Sequence, residues 1–158
     1  MHRREVIGVL GLAAAAAVEA APSVRDQFVG VWKLVSYENK PNNGEVTQVY
    51  GPHPVGRITY DKAGRMSAFL MRPERTIPAR DATADQLRRA HAEFVAYCGT
   101  FDVDEASRTV FHHVQAAVNP AWPGTDLKRT YEFSGNHLTL RATSANGVLT
   151  LVWEREPD

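Results

Sequence analysis

Two adjacent imidazoles, His112 and His113, lie inside the stretch Thr109–Val118. This stretch is rich in β-branched and aromatic residues, and the Pro, Gly and Asn cluster of 119–124 ends it, so it reads as a strand. Successive side chains of a strand point to opposite faces. His112 therefore shares a row with Val110, Val114, Ala116 and Val118, while His113 shares one with Phe111, Gln115 and Ala117. One imidazole in an apolar row is placed to donate, accept or move a proton inside a cavity. The bland reading is a buried ring satisfied by a neighbouring carbonyl or hydroxyl, and both stay open.

Arg129 interrupts a second apolar row, that of Leu127, Tyr131 and Phe133. A guanidinium inside an apolar enclosure needs an anionic or strongly accepting partner; on an outer face it is simply solvated. Arg72 ends the row Met66, Ala68, Leu70, at the mouth of its strand, where a rim salt bridge is the alternative to ligand contact. Tyr60, Tyr97 and Trp122 combine apolar bodies with polar tips. These six residues (His112, Arg129, Tyr60, Tyr97, Trp122 and Arg72) form the candidate site, with His112 as acid/base if the protein is an enzyme. His112 and His113 point apart and no acidic partners stand at ligand spacing, so no metal site is expected. A nucleophile motif, a phosphate-cradling glycine loop and a Cys beside a local His are all missing, and no cofactor is expected.

The elements that position these residues follow from the chain. Its 158 residues, 44% hydrophobic and 23% charged, suit one globular domain. Formal net charge is zero, which offers no long-range attraction to nucleic acid or to an anionic membrane. The lone Cys98 cannot form an intrachain disulfide. Residues 1–20 carry Arg3 and Arg4, an Ala-rich apolar run and a small-residue exit, the pattern of a secretory signal peptide cleaved after Ala20. The run is shorter than the roughly 20 residues of a membrane span. Arg3-Arg4 before Glu5, Val6 and Ile7 resembles a twin-arginine signal; an ordinary secretory signal is the alternative. The expected location is the bacterial periplasm or cell exterior, with residues 21–158 as the folded domain.

Gly30–Glu38 alternates, with Trp32, Leu34 and Ser36 on one side and Val31, Lys33, Val35 and Tyr37 on the other. Glu45–Tyr50 is a second strand, and Arg57–Tyr60 forms a hairpin with Arg65–Arg72 across Asp61–Gly64. Thr83 and Gln86 make a capping box, after which Leu87, Ala90, His91, Phe94 and Cys98 recur at helical spacing. One helix is therefore expected near 83–98, with His91 as a satisfied core histidine. Thr100–Val103, Leu127–Phe133, His137–Thr143 and Val148–Glu154 are further strands. Eight or nine short strands joined by tight turns predict a mainly β fold, a closed antiparallel meander barrel. A barrel of about eight strands either fills with side chains or holds one small ligand.

Several stretches in order resemble the lipocalin-like domain family, a mainly bacterial and fungal group related to calycin barrels. They are Gly30–Ser36, Pro54–Tyr60, Gly64–Ala68 with Met71–Pro73, Ala96–Thr100, Val110–Val114, Pro120–Trp122 and Leu151–Arg155. The resemblance implies a barrel with a pocket for a small, largely apolar molecule. It also implies that Arg155 stacks on Trp32 to close the barrel, and that Cys98 stands where small residues are common. Related barrels include carriers, isomerases and cyclases, so activity does not follow from fold. The leading expectation is an exported barrel that binds a small hydrophobic molecule with an acidic or hydrogen-bonding end. The rivals are a cofactor-independent isomerase or cyclase, and a structural or interaction module with a filled core.

Overall fold

The computed structural model describes residues 23–75 and 80–157; the expected signal segment lies outside them. Nine strands follow a short helix α1 (Val24–Phe28): β1 (Gly30–Pro41), β2 (Thr47–Gln48), β3 (Val55–Tyr60), β4 (Arg65–Met71), β5 (Phe94–Asp104), β6 (Thr109–Ala117), β7 (Asp126–Ser134), β8 (His137–Ser144) and β9 (Gly147–Arg155). A second helix, α2 (Ala84–Ala92), sits between β4 and β5. From β3 onward each strand pairs antiparallel with the next, and β1 pairs with both β3 and β9. The sheet thus closes on itself as the expected meander barrel, with β2 a small addition beside β1. Closure leaves no long edge to recruit another chain.

Inward residues divide the barrel into two halves. One half is plugged with aromatic rings. Ser23 caps α1, its hydroxyl accepting from the Asp26 amide at 3.1 Å, and the single helical turn delivers Phe28 into the barrel end. There Phe28 meets Phe133, Tyr131 and Tyr60 edge-on at centroid distances of 4.9, 5.1 and 5.3 Å. Offset and edge contacts of this kind add to the burial of large apolar rings. Trp32, Phe101, Leu138 and Trp153 complete this buried layer. The other half, toward Tyr37, Val95 and Leu149, is less filled.

Two bulges break the simple alternation. On β1, Leu34 pairs with Trp153 and Ser36 with Val152, so Val35 is an extra residue. On β6, Val114 pairs with Gly99 and Ala116 with Cys98, so Gln115 is extra. An extra residue flips the side-chain phase beyond it and bends the strand. Tyr37, which simple alternation puts on the side opposite Trp32 and Leu34, therefore turns inward with them. Ala116 moves to the outer face with exposed Cys98, away from the His112 row to which alternation assigned it. Gly99 makes the second bulge possible, because a Cβ there would stand 1.9 Å from the His113 carbonyl oxygen.

The helix is shorter than expected. Its capping box forms, with the Thr83 amide 2.9 Å from Gln86 Oε1, but α2 stops at Ala92 and Phe94 already pairs with Met71. Phe94 and Cys98 are strand residues. The β-favouring run Phe94–Cys98 gains a full ladder with β4, which outweighs its chance fit to helical spacing. No residue of α2 is buried, so His91 is an exposed histidine rather than a core one. Glu45–Tyr50 contributes only the two-residue β2. Tyr50 instead folds under this end, its ring 5.2 Å from that of Tyr37 and its hydroxyl donating to the Ala92 carbonyl at 3.1 Å.

Candidate functional site

His112 lies on the inner wall of β6, 1% exposed, between Val110 and Val114. Both ring nitrogens are engaged. Nε2 is 2.8 Å from the Tyr60 hydroxyl and Nδ1 is 2.9 Å from the Tyr97 hydroxyl. The three side chains run from the aromatic plug, where Tyr60 meets Phe28 and Phe101, to the emptier half, where Tyr97 meets Trp122. Burial, helped by the charges of Arg129 and His113, holds the His112 imidazole down to about 3 and so keeps it neutral at ordinary pH. Burial pushes the Tyr97 hydroxyl up to about 12, although Arg129 pulls the other way. Burial likewise raises Tyr60 well above the ordinary phenol range. Tyr97 is partly exposed as a residue, yet its hydroxyl end is enclosed.

Beyond Tyr97 opens a cavity of about 190 Å3. Its wall is largely apolar, with Leu70, Leu140, Leu149 and Leu151. Its polar groups come from Tyr37, Tyr97 and Arg129 and from the indoles of Trp122 and Trp153, the last with its Nε1 buried and unpartnered among the described residues. Burial raises the Tyr37 hydroxyl against the pull of Arg129. The Arg129 guanidinium donates to the Lys128 carbonyl at 2.8 Å, and among the described residues no carboxylate lies in ion-pair reach of it. Trp122 forms one wall of the cavity and also lines a surface groove with His91, Phe94 and Asn119. Its ring packs edge-on against Tyr97 at 5.7 Å, so it stands between cavity and solvent.

A lipocalin-like domain model matches residues 29–155. The chain belongs to the lipocalin-like domain family. No curated protein matches it. Among solved structures it is similar to a lipocalin-like protein from Bacteroides uniformis, at 14% identity and a TM-score of 0.45, over 82% of this chain and 98% of the other. A redesigned β-barrel shows 12% identity and a TM-score of 0.43, over 84% and 95%. An uncharacterized protein from Bacteroides eggerthii shows 13% and 0.43, over 82% and 99%. These likenesses say nothing about a ligand.

In this lipocalin-like barrel the six candidate residues fall into three groups. Tyr97, Trp122 and Arg129 line the cavity. His112 and Tyr60 lie behind Tyr97 and are not part of its lining. Arg72 sits apart at the barrel end, donating to the Val49 carbonyl at 2.7 Å with Glu93 at 3.6 Å, which is the rim arrangement its position allowed. Tyr37 is the cavity residue that sequence reasoning missed, because only the bulge at Val35 turns it inward. Arg155 does stack on Trp32, 4.1 Å from the ring centroid.

The outer face of the lipocalin-like barrel carries the other imidazole. His113 bridges Asp126 at 2.7 Å and Asp102 at 3.1 Å, and the Asp126 hydrogen bond above all raises it above the ordinary histidine value. Among the described residues no group of three or more His, Cys, Asp or Glu is arranged to hold a metal ion.

Proposed function

We propose that this chain is an exported barrel that binds a small, largely hydrophobic molecule with an acidic or hydrogen-bonding end. The observation that carries the reading is an apolar cavity whose single charged group, Arg129, has no carboxylate partner among the described residues. A guanidinium held against apolar walls gains most from an acceptor delivered into the same space. At about 190 Å3 the cavity is smaller than the pockets of roughly 300 Å3 and more that take drug-sized ligands. It is larger than the cavity of about 150 Å3 that accepts benzene. A molecule of one or two rings, or a short branched chain, fits that size. The double arginine and apolar run of residues 1–20 support export.

The isomerase or cyclase reading has less support. A proton-moving His112 needs a free nitrogen and an accessible protonation change, and here tyrosines occupy both nitrogens while burial keeps the ring neutral. The reading as a module with a filled core sits poorly with an open cavity.

The test is mass spectrometry of protein purified under mild conditions from its native compartment. A small molecule released on denaturation is expected, and it should be lost from Ala142→Phe, which projects a ring into the cavity. An empty wild-type protein that also takes up no small aromatic compound would overturn the reading.

A further inference from the structure

The chain Tyr60–His112–Tyr97 has a direction, and that direction bears on what the cavity accepts. A neutral imidazole carries one N–H and one bare nitrogen. Tyr60 is 1% exposed, and its only hydrogen-bond partner among the described residues is His112 Nε2. If Nε2 carried the proton, the Tyr60 O–H would be buried with nothing to receive it, which carries the desolvation cost of an unmade hydrogen bond. Tyr60 therefore donates to a bare Nε2, and the imidazole proton sits on Nδ1. The Nδ1–H then donates to the Tyr97 oxygen at 2.9 Å, and the Tyr97 O–H must point elsewhere. No protein acceptor for it exists among the described residues, and Tyr97 lines the cavity beside Arg129. A guanidinium has donors only, so this end of the cavity presents the charged N–H groups of Arg129 and the Tyr97 O–H, with nothing but neutral phenol oxygens such as that of Tyr37 to accept.

On the reading of the cavity as a ligand site, we infer that the ligand is a compact carboxylic acid bound as its anion, with one carboxylate oxygen on Arg129 and the other within reach of the Tyr97 hydroxyl. A carboxylate is acceptor-only and planar, matching a guanidinium and a second donor. An amine brings donors to donors and a positive charge to a positive charge. A hydrocarbon fills the apolar part but leaves the guanidinium unmatched.

The test is isothermal titration calorimetry of the purified protein at pH 8 with four probes of nearly one shape: phenylacetate, phenylacetamide, 2-phenylethylamine and ethylbenzene. Phenylacetate should bind at least about tenfold tighter than ethylbenzene, a difference of about 1.4 kcal/mol, with the amide between them and the amine weakest. Arg129→Met should bring phenylacetate level with ethylbenzene, and Tyr97→Phe should remove only part of the preference. Equal binding of the four, or an acid preference that survives Arg129→Met, would overturn the inference while leaving the ligand cavity in place. Failure of all four to bind would remove the cavity reading and the inference with it. The donor direction has its own readout in 15N spectra of the His112 ring. Protonated Nδ1 with bare Nε2 is expected, and the opposite tautomer would overturn the role given to Tyr97.

Discussion

The Arg155 guanidinium lies over the Trp32 ring, 4.1 Å from its centroid, and so fastens the last strand of the barrel to the first. The same guanidinium reaches the end of α1, donating to the Val29 carbonyl at 2.7 Å and to that of Gln27. A cation at carbonyls freed by a helix end is favourable, as is a cation over an indole face. The contact also explains Gly30. Its φ of +137° suits glycine, and a Cβ there would stand 2.5 Å from Arg155 Nη1. Trp32 in turn donates from Nε1 to the Phe28 carbonyl at 2.8 Å, which ties the aromatic plug to the same corner.

Trp32→Ala should therefore destabilise the protein by roughly 3–5 kcal/mol. Arg155→Leu, which strands the Gln27 and Val29 carbonyls, should cost about 1–3 kcal/mol. Urea unfolding followed by circular dichroism measures both. A loss well below about 1 kcal/mol for the tryptophan variant would contradict its place in the core.

The two histidines should shape pH stability in opposite senses. His112 is held near 3 in the folded protein, against about 6.5 in an unfolded chain. Its contribution is complete above pH 6.5 and is lost as pH falls toward 3, because the unfolded state takes up the proton first. The slope approaches about 1.4 kcal/mol per pH unit, and His112→Gln should flatten it. His113 is shifted upward, so its contribution is complete below about pH 6.5 and disappears as pH rises through the folded value. With its side chain partly exposed to solvent, it is worth under about 1 kcal/mol. Stability curves for His113→Gln should lose only that small decline near neutrality.

Gly99→Ala should destabilise by on the order of 1–3 kcal/mol, since the new methyl would collide with the His113 carbonyl across the bulge. The strand beyond the bulge leads to Trp122, so phenylacetate affinity should fall as well. Thermal unfolding and calorimetry on this single variant separate the effects. An unchanged melting temperature would mean that the strands need not approach so closely.

Replacing Arg3 and Arg4 by lysine should leave the precursor in the cytoplasm if the twin-arginine route is used. Immunoblots of periplasmic and cytoplasmic fractions show the outcome, and undiminished export would assign the chain to the general secretory route.

Much of this fold is written locally in the chain. The short alternating strands, the turns at Asp61–Gly64 and Ser134–Asn136 and the Thr83–Gln86 capping box each follow from near neighbours, so barrel, order and hairpins were legible. The inward row of Val110, His112 and Val114 was legible for the same reason; Leu127, Arg129, Tyr131 and Phe133 were legible as one row, but not whether that row faces in or out. Phe94–Cys98 was not, because a helical spacing of apolar residues cannot show that β4 lies alongside to pair with them. Nor were the two bulges, which depend on how neighbouring strands meet and which turn Tyr37 into the cavity and Ala116 out of it. Which polar groups touch the empty space and which stand behind it was likewise decided only in three dimensions. Residue pattern could put His112 and Arg129 inside one barrel. Only the packing of β3 and β5 around β6 set Tyr60 and Tyr97 on the two imidazole nitrogens and left Arg129 facing the cavity.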